Sequence, residues 1–293
     1  MSLKKKFQSV SRDLVIYKMY YFNFILSKLF EALFFPFQSF NPLWPLLFVS
    51  AITGILMLLA FRYTSNQKEI KKEKDKIKAH LMEMSLFKDN LAALMSAFIN
   101  VLRYNARYIK HLIKPAVFLI VPTIFMLIHL NFWFGYRPIL TGEAAVLSVK
   151  LSNQKKVALS NVEIEVDEGV VVETPPLRIL ELKEVNWRIR AKTPGTHTVI
   201  IKTPGDTFQK KFVVSTKQFK RISPRKFISS FWDTLLYPGE KPFTKDSLVK
   251  EIAINYPSEQ IEILGWRIYW LVIFFVFSMA AGFAFKGYLN VEI

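Results

Sequence analysis

Three long apolar segments without a formal charge constrain this chain more than any other feature of its sequence. They cover residues 46–61, 115–134 and 268–285. Each is close to the roughly 20 residues that an α-helix needs to cross the hydrocarbon core of a bilayer, and aromatic or basic residues flank each one as interfacial anchors. The sequence therefore predicts three transmembrane helices, over residues 44–62, 115–135 and 265–288.

The N-terminal stretch 14–37 is also strongly apolar, but it contains Lys18, Lys28 and Glu31. A charge near the centre of a span costs about 2.5–3.5 kcal/mol on insertion scales, although Lys28 and Glu31 are three residues apart and could form an ion pair. An interfacial amphipathic helix within residues 1–43 avoids most of this cost and is our expectation. A fourth span is the alternative.

The segment 55–114 contains neither Gly nor Pro, which predicts that nearly all of it is helical. Because the chain must return to the membrane at Pro115, we predict an antiparallel hairpin over 63–114 with its turn within 86–94, where Asp89 and Asn90 tolerate turn conformations. Two apolar stripes could pack as a short coiled coil. They are Ile70, Ile77, Leu81 and Met84 on the first arm, and Leu91, Met95, Phe98, Leu102, Ile109 and Leu112 on the second.

The hairpin is short and basic, and such loops stay on the cytoplasmic side of a membrane. We therefore expect a multi-pass protein of the cell (inner or plasma) membrane, with its N-terminus outside and its hairpin and C-terminus in the cytoplasm. The lysines of the first arm form either a solvated helix face or a docking surface for ribosome or lipid headgroups. The docking candidates are Lys68, Lys71, Lys72, Lys74 and Lys78.

Between the last two apolar segments, the chain changes to short runs of alternating polar and apolar residues. Seven such runs between 142 and 214 predict β-strands, and their number and spacing are typical of an immunoglobulin-like sandwich. We expect an extracytoplasmic sandwich within 136–217, able to fold by itself over 140–216, with Trp187 in its core. A linker over 218–264 should follow, with an amphipathic helix over 223–239 that lies on the membrane or packs on the sandwich.

The composition excludes several classes of function. Hydrophobic residues make up 52% and charged residues 22% of the chain, and Cys is absent, which excludes disulfides, Cys-ligated zinc, iron–sulfur clusters and Cys nucleophiles. No dinucleotide-binding or P-loop glycine motif occurs. We expect no enzyme activity, no cofactor and no bound metal. The net charge of +17 is spread along the chain, which favours anionic membrane lipids as partners and does not predict DNA binding.

The expected fold class is an α-helical membrane protein with three transmembrane helices and a cytoplasmic helical hairpin, plus an all-β immunoglobulin-like extracytoplasmic sandwich. In this arrangement, the stretches PLWPLLFVSAITGILMLLAFRYTSNQKEIKKEKDKIKAH and NARYIKHLIKPAVFLIVPTIFMLIHLNFWFGY resemble the YidC/Oxa/Alb superfamily of membrane-protein insertases. The chain is most similar to the reduced three-span branch, which includes archaeal YidC-like proteins and the third subunit of the endoplasmic-reticulum membrane complex.

The resemblance implies a groove of modest polarity that eases the passage of polar client segments across lipid. It also implies nascent membrane proteins, the ribosome or partner membrane subunits as partners. Each of these polar side chains also has an alternative role. Ser50, Thr53 and Ser278 could contribute to helix–helix packing, and Thr123 could donate a hydrogen bond to a backbone carbonyl beside Pro122. His129 and Asn131 could lie near the outer membrane interface. The groove candidates are Ser50, Thr53, Arg62, Thr123, His129, Asn131 and Ser278.

The chain also departs from the bacterial insertases. It has three predicted spans rather than five, the sandwich is not part of the usual core, and the nearest positive charge to a groove is Arg62, at the edge of the first span. The alternative function is a membrane-anchored scaffold whose external sandwich recruits a partner. Spans too apolar to hold a groove favour the scaffold, and a water-accessible cleft open to the cytoplasm favours the insertase.

Overall fold

A computed structural model describes residues 3–152, 159–215, 219–228, 230–244, 247–263 and 265–292. The chain forms two compact units. One consists of Met1–Pro45 with Leu127–Trp270, and the other of Leu46–Met126 with Leu271–Ile293. The described residues contain short 3-10 turns at Phe35–Phe37 and Leu159–Asn161 and six α-helices, which are α1 Leu3–Phe34, α2 Leu43–Thr64, α3 Gln67–Leu86, α4 Leu91–Phe134, α5 Phe231–Leu236 and α6 Trp270–Lys286.

Helices α2 and α4 are long and apolar enough to cross a membrane. The bounds of α2 agree with the first predicted span within two residues. The second predicted span and the return arm of the hairpin form one continuous helix of 44 residues, with Pro115 and Pro122 inside it. Helix α6 is shorter than the predicted third segment: it has 17 residues, and residues 266–268 before it are a strand.

The break between α3 and α4 falls at residues 87–90, inside the predicted turn region. Asn90 is the reason that α4 begins there, since its side-chain oxygen accepts a hydrogen bond from the backbone N–H of Ala93 at 3.2 Å. Asn66 caps α3 in the same way, through Glu69 at 3.3 Å. The two arms meet where the imidazole of His80 stacks on Tyr104 with 5.3 Å between ring centroids.

The predicted seam of the hairpin is wrong for its second arm. Leu91 and Leu102 are 73% and 54% exposed, and Met95, Phe98 and Ile109 are exposed as well, whereas the neighbouring Ala97 is fully buried. Helical periodicity identifies an apolar stripe but does not say which of two adjacent stripes faces the partner helix. The first arm follows the prediction better, because Ile70 is fully buried and Ile77 and Met84 are partly buried, although Leu81 is exposed.

All seven predicted strands are present, and further strands follow them. The strands are β1 Ala144–Leu151, β2 Glu163–Val166, β3 Val170–Val172, β4 Leu177–Ile179, β5 Glu184–Ala191, β6 Gly195–Thr203, β7 Asp206–Val214, β8 Arg225–Phe227, β9 Val249–Ile254, β10 Ile261–Ile263 and β11 Trp266–Ile268. One sheet has the order β3-β5-β1-β9-β8 with β4 also on β5, a second has the order β2-β6-β7, and β10 pairs with β11.

Alternation along the strands produces a β-sandwich-like core. In β5, Val185, Trp187, Ile189 and Ala191 are buried, and the residues between them are not. Because successive side chains of a strand point to opposite faces, this pattern places one face of β5 inward, and the core position of Trp187 is confirmed. Buried side chains of β1, β5 and β9 form one apolar cluster with those of β6 and β7.

The predicted boundary of the sandwich at residue 217 is wrong. Strand β9 lies between β1 and β8 in the larger sheet, with Ser148 opposite Ala253. The predicted amphipathic helix over 223–239 is also wrong, because residues 225–227 form β8 and only 231–236 are helical. Residues 218–264 are therefore not a linker, since they supply a central strand of the sheet.

Aromatic rings connect helix α1 to the rest of the unit that contains the sandwich. Phe34 lies 5.0 Å from Trp133, 5.5 Å from Phe134 and 5.4 Å from Phe219, measured between ring centroids. Phe134 in turn contacts Trp270 at 6.2 Å. The end of α1, the end of α4, the segment before β8 and the start of α6 therefore share one aromatic cluster.

Strand β9 provides a test of the corrected boundary. Ile252 is fully buried in the apolar core, whereas Lys250 is exposed on the same strand. A buried unpaired carboxylate costs several kcal/mol, so Ile252→Asp should lower the melting temperature of the full chain in detergent by about 10 °C. Lys250→Asp should leave it nearly unchanged. Tryptophan fluorescence reports the transition, and equal melting of the two variants would show that β9 is not part of the core.

Candidate functional site

An apolar cleft lies among α2, α4 and α6, in the unit formed by Leu46–Met126 and Leu271–Ile293. It has a volume of about 440 Å³, within the range of ligand-binding clefts. Thr53, Met57 and Phe61 of α2 recur every four residues and so share one helix face, as do Phe275, Met279 and Phe283 of α6. The remaining lining residues are Gly54, Leu58, Thr123, Phe274, Val276, Ser278 and Gly282.

Gly54 sets the distance between α2 and α6. A Cβ atom built on Gly54 would lie 2.1 Å from the carbonyl oxygen of Ser278, so any side chain at position 54 would force the two helices apart. Gly282 lies farther away, because a Cβ there would be 3.6 Å from the carbonyl oxygen of Gly54. Small residues let helix backbones approach closely in this way, and the close crossing beside Ser278 forms one wall of the cleft.

The hydroxyl groups of the cleft are already hydrogen-bonded within the unit. Thr123 donates to the carbonyl oxygen of Leu119 at 2.7 Å, and Ser278 donates to that of Phe275 at 3.1 Å. Thr53 donates to the sulfur of Met126 at 3.3 Å. The bond at Thr123 is the back-bond beside Pro122 that the sequence offered as the alternative to a groove role.

The walls of the cleft are therefore apolar, with weak polarity at three points. No charged side chain is among the lining residues. Such a site has no means of attracting charge, and its aromatic and thioether surfaces suit apolar side chains of varied shape. Chemically, the cleft can hold part of an apolar helix and offer hydroxyl groups to a few polar atoms on it.

The structure brings together Thr53, Thr123 and Ser278 but not the other predicted groove residues. Ser50 is fully buried and donates to the carbonyl oxygen of Leu46 at 2.6 Å. Arg62 is exposed in the last turn of α2 and does not line the cleft. The remaining two residues, His129 and Asn131, belong to the other unit.

His129 and Asn131 have packing roles there. His129 is buried and stacks on Phe30 with 5.6 Å between ring centroids, and its Nε2 lies 3.4 Å from the backbone oxygen of Asn23. Asn131 lies over Gly135, where a Cβ atom would meet the Asn131 side chain at 2.3 Å. Neither residue is among the lining residues of the cleft.

Four of the predicted docking lysines form an exposed face of α3. Lys68, Lys71, Lys72 and Lys78 are exposed, and Lys72 lies 3.7 Å from Glu69 in an i,i+3 ion pair. Lys74 differs, because its ammonium lies 3.3 Å from Glu292 near the C-terminus.

The C-terminal contact on α3 has no signal in the sequence. The backbone N–H of Glu292 donates to the side-chain oxygen of Gln67 at 2.6 Å, and the neighbouring Val291 is buried. Sequence reasoning also missed Met57, Phe61, Met279 and Phe283 of the cleft. Their i,i+4 spacing is the signal that could have identified them.

Gly54 allows a test of the close helix crossing. Gly54→Ala should destabilise the protein by about 1–3 kcal/mol, the usual cost of overpacking, because the added methyl group collides with backbone that cannot rotate away. Gly282→Ala is the matched control, since its methyl group has ordinary contact distances. Thermal unfolding of the full chain in detergent measures both, and a Gly54→Ala variant as stable as the control would contradict the close crossing.

Comparisons with known proteins do not assign this site. No protein-family model matches the chain, and no curated protein matches it in sequence.

Proposed function

We propose that this chain is an insertase-like membrane-protein biogenesis factor of the reduced three-span type. The observation that carries the proposal is the cleft among α2, α4 and α6, in which Thr53, Thr123 and Ser278 lie within apolar walls. A client helix could place apolar side chains against Met57, Phe61 and Phe283. Its few polar atoms would meet hydroxyl groups rather than bare lipid, where each unsatisfied polar group costs several kcal/mol.

Helix lengths support a membrane location for the cleft. Helix α2 has 22 residues, and the part of α4 after Pro115 has the length of a bilayer crossing, about 30 Å at 1.5 Å per residue. Helix α6 has 17 residues, at the lower limit for a span, with Tyr269 and Trp270 at its start as interfacial anchors. We propose that all three cross the cell membrane.

The hairpin supports contact with clients or the ribosome on the cytoplasmic side. It presents two different surfaces, which are the exposed lysines of α3 and the exposed apolar stripe of α4 that contains Leu91, Met95, Phe98 and Leu102. The lysines suit phosphate groups of RNA or lipid, and the apolar stripe suits a hydrophobic segment before it enters the cleft. No catalytic step is part of this proposal.

A membrane-anchored scaffold is the second candidate, and one observation favours it. The hydroxyl groups of the cleft are all bonded within the helices, as at Thr123 and Leu119, so the cleft is less polar than a path for charged client tails requires. In that case the cleft would be a packing defect or a lipid site. The immunoglobulin-like sandwich would then be the functional part and would recruit an external partner.

Cross-linking can separate the two proposals, because the chain has no Cys of its own. Met57→Cys places a thiol in the cleft, and Leu56→Cys places one on the adjacent face of α2, which is 56% exposed. The client is a single-span reporter with a short exported N-terminal tail and one Cys in its span. Oxidation during its synthesis should give a disulfide adduct with Met57→Cys and almost none with Leu56→Cys.

The same experiment defines the results that oppose the insertase. Equal adducts at both positions would indicate random contact in the bilayer, and the absence of any adduct would favour the scaffold. Depletion of the chain should also reduce membrane insertion of the reporter severalfold. Unchanged insertion together with loss of an external partner would replace the insertase proposal with the scaffold.

Orientation is tested separately with a membrane-impermeant maleimide on intact cells. Lys72→Cys lies on the exposed face of the hairpin, and Leu180→Cys lies on the exposed loop after β4. We expect labelling at position 180 and protection at position 72, because short basic loops stay in the cytoplasm. The reverse pattern would overturn the proposed orientation.

A further inference from the structure

A second cavity lies within the unit that contains the sandwich. It has a volume of about 360 Å³ and is enclosed by α1, by β6 and β7, and by the segments 221–226 and 238–241. Its lining is dominated by positive charge. Five cationic side chains face two carboxylates, Glu31 and Glu240, and the cations are Lys28, Lys211, Arg221, Lys226 and Lys241.

Both carboxylates already have partners. Glu31 lies 2.7 Å from the ammonium of Lys28 and 2.9 Å from the guanidinium of Arg221. Glu240 forms an ion pair with Lys210, which is fully buried behind the wall of the cavity and also donates to the backbone oxygen of Ser223 at 2.7 Å. Both negative charges of the cavity are thus already paired with these three cations.

Three cations remain without a carboxylate partner in the part of the chain that the structure describes. They are Lys211, Lys226 and Lys241. Lys226 is half-buried, and its ammonium donates to the backbone oxygen of Gln209 at 3.2 Å and lies 4.8 Å from the centre of the Phe243 ring. Burial lowers the pKa of Lys226, the charge of Glu240 partly opposes this shift, and the nearby charge of Lys241 adds to it. A bound anion would relieve this repulsion.

The geometry favours a phosphate group as that anion. Lysines bind phosphate as point charges, and Arg221 stands beside them with its planar guanidinium already oriented by Ser27 at 2.9 Å and by the carbonyl oxygen of Pro238 at 3.2 Å. The cavity is large enough for a phosphate ester with a small alcohol attached. A carboxylate would use fewer of the available donors.

An apolar surface continues from the cavity along α1. Phe24 lines the cavity and is itself 46% exposed, and the neighbouring Ile25 and Leu29 are exposed as well. A ligand that combines an anionic head with acyl chains would use both surfaces. Free phosphate would use only the cavity.

We propose that this cavity binds a phosphate-bearing anion, and that the exposed apolar side of α1 selects the headgroup of an acidic phospholipid over soluble phosphate. The site involves no residue of the cleft, and it does not depend on the insertase proposal. It also gives the apolar α1 a reason to carry Lys28 and Glu31, which organise the wall of the cavity through Arg221.

The test uses the full chain in a non-ionic detergent, with binding of phosphatidylglycerol and phosphatidylcholine measured by native mass spectrometry and by thermal shift. Wild-type protein should retain phosphatidylglycerol in preference to phosphatidylcholine. Lys211→Gln with Lys226→Gln should weaken phosphatidylglycerol binding about tenfold or more, since each lysine near an anionic headgroup adds a substantial share of the attraction. Lys192→Gln with Lys250→Gln removes the same charge from exposed positions outside the cavity and should have no effect.

A second variant guards against a folding defect at the half-buried Lys226. Lys211→Gln with Lys241→Gln changes only exposed side chains, so its melting temperature without lipid should match the wild type and its loss of phosphatidylglycerol should remain. Inorganic phosphate, added separately, should stabilise the protein much less than phosphatidylglycerol does. Equal stabilisation would overturn the assignment to lipid, and equal binding by cavity and control variants would overturn the site itself.

Discussion

The contact of Phe34 with Trp133, Phe134 and Phe219 is the interaction on which the sandwich-containing unit depends. Each aromatic side chain buries about 150–250 Å², and these four rings come from three separate parts of the chain. Their packing brings the end of α1 and the end of α4 together with the segment before β8. Through Trp270, the same cluster reaches the residue at which α6 begins. The aromatic cluster therefore brings together the end of α1, the end of α4 and the start of α6.

The docked position of α1 also explains charges that a purely apolar helix could not carry. In the sequence, Lys28 and Glu31 stand in a stretch that otherwise suits lipid. In the structure, Glu31 is shared between Lys28 and Arg221, and Arg221 also binds Ser27. Of the three charges, only Arg221 is largely buried, and a buried charge is tolerable when it is paired and hydrogen-bonded. The ion pair predicted from the i,i+3 spacing is present, but its third member, Arg221, lies 190 positions after Glu31 and could not be predicted from local sequence.

Local patterns predicted local structure well. Alternation identified β1 to β7 and placed Trp187 in the core, and Asn90 marked the start of α4. Sequence patterns did not predict which strand pairs with another or which face of a helix is buried. Nothing in the sequence of β9 indicates that it pairs with β1 rather than forming a separate hairpin. Nothing in the apolar stripe of Leu91 and Leu102 indicates that these residues are exposed while Ala97 is buried.

For the candidate site too, the sequence identified individual residues but not their spatial arrangement. Thr53, Thr123 and Ser278 were recognisable as polar groups in apolar helices, yet their convergence depends on the close approach of Gly54 to the Ser278 backbone. His129 and Asn131 belong to the other unit, where His129 stacks on Phe30. Both are consequences of tertiary packing, which a one-dimensional pattern does not contain.

The insertion of β9 beside β1 has a consequence for how the protein is made. Ser148 of β1 pairs with Ala253 of β9. The ribosome must therefore synthesise the chain from position 148 to position 253 before β1 can pair with β9. At about 5–20 residues per second, synthesis of that interval takes roughly 5–20 s. During this time, one edge of a central, buried strand is unpaired and available to other strands. The sheet is therefore completed late in synthesis. Its formation is expected to be slow, because β1 and β9 are far apart in the sequence.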